Sequence, residues 1–248
     1  MMKKAVVVLV PVYLAQLNAL ETYSLDLSMA TLKDREVVFI GPEGLDLSWY
    51  RARYGEIAYR AYPAESFASI PGYSRLLLSE DFYQAWADYE FMLICQTDAI
   101  MLRDELDFWC AQPFDYVGAP WPDGYELFVN AGRLDGDMGK KVHVTVGNGG
   151  LSLRRIGKTV ALLREHPIPL QVFVHTGSSE DLFFAVMGSL STDFVVPNEV
   201  TASRFSMELR PSLYYGINGG QVPMGTHAWW KGEPEFWRAH LPAPLPPL

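Results

Sequence analysis

The chain has 248 residues, of which 49% are hydrophobic and 20% charged, and its formal net charge is -9. Such a composition builds a substantial core and excludes long disordered segments. Its negative balance excludes a general nucleic-acid binder, which needs a basic face to displace counterions from phosphates. The two cysteines, Cys95 and Cys110, have no CxxC partner or companion histidine spacing, which excludes a disulfide framework and argues against zinc.

In chain order, Lys3 and Lys4 precede an apolar β-branched run from Ala5 to Val12, superficially like a leader peptide. Pro11 interrupts the run and polar Gln16, Asn18 and Glu21 follow at once, so it reads as the first strand of a cytoplasmic protein. Leu17 to Leu32 carries leucines near helical spacing, and strand followed by helix opens a Rossmann-like unit. Arg35 to Ile40 is a second strand, stopped by Gly41 and Pro42, and Glu56 to Tyr62 a third, with a short helical piece from Leu47 to Tyr54 between them. A long segment from Pro71, with apolar Leu76, Leu77, Phe82, Tyr83 and Trp86, leads to the strand Phe91 to Leu102, FMLICQTDAIML. That run lacks helical spacing and suits a strand covered on both faces.

The second half reads as richer in loops: Phe114 to Trp121, a polar stretch from Asp123 to Lys141, and VTVGNGGLSLRR from Val144 to Arg155. One helix is predicted through Glu165 and another from near Ser179, and the proline tail LPAPLPPL is expected to lie extended on the surface or disordered. No internal repeat is present, and no apolar stretch is long enough to span a bilayer. The alternation predicts one α/β domain with a mixed, mostly parallel central sheet flanked by helices.

Ligands of such sheets bind beyond the carboxyl ends of the strands, which directs attention to Asp98, with Gln96 and Thr97, at the end of the apolar run. Asp98 either caps the turn before Arg103, Asp104 and Glu105, or ligates a divalent cation that neutralises a diphosphate. The GNGG run at Gly147 to Gly150 is either a hairpin turn or a place where a ligand approaches the backbone closely. In SSEDLFF, Ser178 and Asp181 have capping-box spacing, while Glu180 or Asp181 also suits a general base toward an acceptor hydroxyl. His227 and Lys231 in THAWWK are structural residues or a metal ligand and a phosphate contact. Trp229 and Trp230 read as packing, and Trp121 as packing or sugar stacking.

Taken in order, YSRLLLS, QTDAIML, GNGGLSLR, SSEDLFF and GTHAWWK resemble the GT-A-fold nucleotide-sugar glycosyltransferases, and more narrowly a bacterial family of uncharacterised glycosyltransferase-like domains. The resemblance spans nearly the whole chain. It implies a single GT-A-like domain over residues 1–240, with a nucleotide-binding half at 1–102, a catalytic and acceptor half at 103–240, and a proline-rich tail at 241–248. The implied activity moves a sugar from a nucleoside diphosphate donor to a hydroxyl of a carbohydrate or glycolipid acceptor, with inversion, in bacterial surface polysaccharide or glycoconjugate synthesis. Asp181, or failing it Glu180, is then the base. Pro11, Val12 and Tyr13 meet the nucleobase, and Arg75, Gln96, Thr97, Asp98, Asn148, Gly149, Gly150 and Lys231 bind the rest of the donor. Asp98 and His227 hold Mn²⁺ or Mg²⁺.

One departure stands out: Gln96 occupies the first acid of the Asp-x-Asp pattern, and a neutral amide adds no charge to a cation site. Two other readings compete. A noncatalytic sugar- or nucleotide-binding domain would carry a decayed metal site, and a nucleotidyltransferase would want a glycine-rich basic loop that VLVPVYLAQ lacks.

Overall fold

A computed structural model describes residues 3–129 and 140–247. The first half runs β1 (Lys4–Pro11), α1 (Ala19–Thr31), β2 (Val37–Pro42), α2 (Ser48–Tyr54), β3 (Ala58–Tyr62), α3 (Ile70–Leu77), α4 (Glu80–Gln84), β4 (Tyr89–Cys95), β5 (Ala99–Met101) and α5 (Leu106–Cys110). The second continues with β6 (Tyr116–Val129), β7 (Lys140–Arg155), α6 (Ile156–Glu165), α7 (Pro167–Thr176), α8 (Glu180–Leu190), α9 (Glu199–Phe205), β8 (Ser206–Met207), α10 (Pro211–Ile217), β9 (Gly225–His227) and α11 (Pro234–Arg238).

The main sheet has the order β3-β2-β1-β4-β7-β6, parallel from β3 to β4 and antiparallel at β7 and β6. Its centre is buried on both faces because β1 from Val6 to Pro11 and β4 from Phe91 to Cys95 are apolar at every position. Val7 and Leu9 join Met92 and Ile94 in one core, while Val6, Val8 and Val10 join Phe91, Leu93 and Cys95 in the other. Each fully buried side chain of this size contributes about 1.5–3 kcal/mol. The chain leaves β1 toward β2 on one side and returns as β4 on the other, so a crevice opens beyond the ends of these two strands.

Three sequence expectations are corrected here. FMLICQTDAIML is not one strand: it leaves the main sheet after Cys95, turns with Ala99 N–H donating to the Gln96 carbonyl, and re-enters as β5 in a second sheet of order β5-β9-β8. The GNGG run is not a turn and the region is not dominated by loops, since β6 and β7 form a long antiparallel pair whose register shifts between Val117 and Tyr125. Gly118 makes one shift possible, because a Cβ there would stand 2.2 Å from the Asn148 carbonyl oxygen. The middle of the polar stretch, 130–139, lies outside the described residues. Finally, α8 has no capping box: Ser179 is its cap without a side-chain bond, and the Ser178 hydroxyl pairs instead with Thr176 at 2.8 Å.

The small sheet is fixed by the chain's last aromatics. Ile100, Met207, Tyr214, Trp229 and Trp237 form a third core, and the Trp229 indole N–H donates to Ser24 of α1 at 2.9 Å. Leu241 of the proline tail is buried in the same core and the Tyr23 hydroxyl donates to the Pro242 carbonyl, so this part of the tail is packed down. Among the described residues no helix is long and apolar enough to cross a membrane.

Candidate active site

A cavity of about 600 Å³ occupies the crevice beyond β1 and β4. Strand alternation aims Pro11 and Tyr13 into it and leaves Val12 wholly buried in the core, its N–H on the Ile40 carbonyl. The structure therefore does not bring the Val12 side chain to the cavity. On α3, Ile70, Tyr73 and Ser74 face the cavity, whereas Arg75, a further 100° around the helix, is exposed and lines a separate depression with Arg60 and Asp81. Arg75 is thus the other expected donor contact that the fold places elsewhere.

Gln96, Thr97 and Asp98 form the turn between the two sheets, and the pairing of Ala99 with His227 brings β9 alongside it. Gln96 N–H donates to the Gly150 carbonyl at 2.9 Å, which docks the turn against the GNGG run. His227 Nε2 then stands 3.0 Å from both Asp98 Oδ1 and Gln96 Oε1, while its Nδ1 is 2.7 Å from Glu208 Oε2. Burial opposes charge on this imidazole, but the bonds to Asp98 and Glu208 outweigh it and lift its pKa to about 10. Burial likewise opposes charge on Asp98, and the His227 contact holds its carboxyl below the ordinary value. Asp98 is not a helix cap: α5 starts from Glu105.

Asp98 Oδ1 and Gln96 Oε1 each stand from His227 Nε2 at a spacing that neighbouring ligands of one ion have, and Glu208 orients the imidazole from behind, as carboxylates do for metal-bound histidines. Among the described residues no group of three or more His, Cys, Asp or Glu side chains forms a cage. A cation would have to displace the proton that His227 holds between Asp98 and Glu208, and with the imidazole neutral the set fits an ion such as Mg²⁺ or Mn²⁺ that takes the rest of its shell from water and substrate phosphates. Gly150 is required by this arrangement, since a Cβ there would lie 2.3 Å from His227 Nε2. Lys231, exposed at the rim, adds a positive charge on the same side, and Asn148 and Gly149 complete the wall.

The two acids of SSEDLFF have separated environments. Glu180 Oε1 meets Arg154 Nη2 at 3.1 Å and its Oε2 accepts from Ser74 at 2.9 Å. Arg154 has no exposed surface; it also donates to the Tyr83 hydroxyl at 3.0 Å and lies over the rings of Tyr116 and Phe184. Asp181 has no such partner cation in contact among the described residues. Burial first, and the charge of Glu180 second, push its carboxyl up to about 6. A carboxylate of that basicity inside a cavity is suited to taking a proton.

Trp229 and Trp121 serve packing, as a Cβ on Gly147 would strike Trp121 at 2.3 Å. Sequence reasoning missed Glu21, Tyr73, Ser74, Arg154 and Glu208. Arg154 was detectable, because it interrupts the apolar alternation of LSLRR. Glu208 carried no local signal; only the small sheet places it behind His227.

The architecture is the GT-A fold of glycosyltransferases. Mouse xyloside xylosyltransferase 1 in its apo form superposes with a TM-score of 0.52 at 11% identity, covering 91% of this chain and 97% of that one. The galactosyltransferase LgtC in complex with donor and acceptor sugar analogs gives 0.52 at 16% identity, covering 89% and 86%. An active-site mutant of LgtC gives 0.52 at 16% identity, covering 96% and 97%. The chain itself belongs to the family described as "Protein of unknown function (DUF5672)", which matches residues 56–227. No curated protein matches it.

Proposed function

We propose that this protein transfers a glycosyl group from a nucleoside diphosphate sugar to a hydroxyl of a carbohydrate or glycolipid acceptor. The observation that carries the reading is that one cavity joins an Asp98, Gln96 and His227 donor set to a half-buried carboxylate, Asp181, of raised basicity. Diphosphate and proton acceptor are the two charges that a glycosyl transfer must manage, and both have a candidate partner here. The fold is shared with a galactosyltransferase seen with donor and acceptor sugar analogs, which supports the same use of the cavity.

In this reading residues 1–102 supply the nucleotide side through Pro11, Tyr13, Gln96, Thr97 and Asp98, and residues 103–240 supply the rest. Asp181 accepts the proton of the acceptor hydroxyl as its oxygen bonds to the anomeric carbon, and the bond from that carbon to the diphosphate breaks with its electron pair on the leaving oxygen. Lys231 faces the leaving diphosphate. Asp98, His227 and Gln96 would hold Mn²⁺ or Mg²⁺, which supplies further positive charge to the leaving group. Glu180 holds the first turn of α8 against Arg154 and Ser74, and thereby aims Asp181. With Asp181 as base the displacement inverts the anomeric carbon. The setting in bacterial surface polysaccharide or glycoconjugate synthesis rests on the motif resemblance alone.

The test is a thermal-shift panel of nucleoside diphosphates and nucleotide sugars with and without Mn²⁺, followed by NMR of the anomeric product from any stabilising donor. A ligand specific to the native state raises the unfolding temperature by mass action. No shift across the panel would sink the donor reading, and a product of retained configuration would give Asp181 another role.

A further inference from the structure

Glu21 stands on the first turn of α1 and lines the cavity, yet it is only 8% exposed. Its position is set twice. Asn18 caps the helix by accepting from the Glu21 N–H at 2.9 Å, and the Thr97 hydroxyl donates to Glu21 Oε1 at 2.9 Å. Its other oxygen, Oε2, is buried without any hydrogen-bond partner among the described residues. A buried carboxylate oxygen left unpaired costs free energy that a ligand donor would recover.

Resting on the donor reading above, we propose that Glu21 is the ribose reader of the nucleotide site, accepting a hydrogen bond from a 2′- or 3′-hydroxyl through Oε2. A carboxylate accepts only, so its partner carries O–H or N–H, and a diphosphate would be repelled. The cavity separates these parts. Tyr13, half exposed beside Pro11, offers a flat apolar surface for a base, and Asp98, His227 and Lys231 form the diphosphate end. Thr97, which clamps Glu21, is the residue next to Asp98, so the carboxylate lies between the two ends, where the pentose of a bound nucleotide would be. The same placement makes the Thr97 side chain a positioning group, although Thr97 occupies the spacer position of the Gln-x-Asp turn.

The experiment is calorimetric titration of the whole chain with ribonucleoside diphosphates of the four common bases and with their 2′-deoxy and 3′-deoxy forms, in the wild type, Glu21→Gln and Glu21→Met. The two variants replace the carboxylate with a neutral amide and with an apolar chain of similar length, and their folding is checked by thermal unfolding. In the wild type, one of the deoxy forms is expected to bind about 10- to 100-fold more weakly than the ribonucleotide, the loss of one charge-assisted hydrogen bond. That ratio should fall to about threefold or less in Glu21→Gln and to near unity in Glu21→Met. A wild type that does not discriminate, or variants that retain the full ratio, overturns the assignment while leaving the donor reading intact. A changed base preference with an unchanged ribose ratio assigns Glu21 to the base and overturns it too. Failure of every diphosphate to bind the wild type removes the donor reading itself, and this inference with it.

Discussion

Arg154 and Glu180 form a buried ion pair at 3.1 Å beside the cavity, and Asp181, the next residue, is left out of it. One carboxylate of the adjacent pair is consumed by structure so that the other keeps its proton affinity. Glu180→Ala leaves an unpaired guanidinium with no access to water and should cost about 3–5 kcal/mol. Urea unfolding measures it; a loss below about 1 kcal/mol would show that Arg154 does not depend on Glu180.

Asp181→Asn should behave in the opposite way. Transfer falls roughly 100- to 10,000-fold while nucleoside diphosphate binding is unchanged. Its stability follows from the sign of the shift. The folded carboxyl is raised from 3.8 to about 6, so its contribution is fully present below pH 3.8 and is lost as pH rises through 6. At pH 7.5 the asparagine variant escapes that penalty and should unfold at the same temperature as the wild type or higher. Full turnover in the variant removes Asp181 from the reaction.

The same shift predicts the acid limb of the wild-type rate profile. kcat/KM should rise with pH and level off above about 6, as Asp181 becomes able to accept a proton. A limb near 4 would mean that an ordinary exposed carboxylate governs the rate.

Gly150→Ala places a methyl group 2.3 Å from His227 Nε2 and must displace the imidazole from Asp98 and Gln96. Nucleoside diphosphate affinity in the presence of Mn²⁺ should fall by about tenfold or more, with a stability loss of about 1–3 kcal/mol from overpacking. Calorimetric titration reads the first and thermal unfolding the second. Undiminished affinity would detach His227 from the diphosphate end.

Gln96→Asp restores a second acid beside Asp98 and should strengthen Mn²⁺ binding by about tenfold, since ligand charge sets the affinity of such sites. The metal-dependent shift in unfolding temperature checks it. An unchanged shift would mean that Gln96 does not reach the ion.

The strands and helices of the first half were legible because their cores are written locally. β-branched runs such as Val6 to Val10, buried on both sides, admit one assignment, and Gly41 with Pro42 ends β2 within two residues of the expected stop. The Asp98, His227 and Asp181 neighbourhood was legible through motif order. What was not legible depends on pairing across the chain. FMLICQTDAIML has no local mark that its last third belongs to another sheet; only the pairing of Ala99 with His227 decides that. GNGG has the composition of a turn, but β6 supplies a long partner strand that keeps it extended. Arg75 was misplaced because a motif fixes sequence spacing and not the direction of a helix face. Glu208 was invisible for the same reason that β8, two residues long, was invisible.

The small sheet also carries a consequence for biosynthesis. Gln96 meets His227 across 131 residues, and Ser24 meets Trp229 across 205. A ribosome has to deliver the chain as far as residues 227 and 229 before these contacts can close, and contacts this distant in sequence form slowly. The nascent chain therefore exposes Ser24 and Gln96 long before their partners, and the small sheet closes over them only once residues 227–229 have left the ribosome.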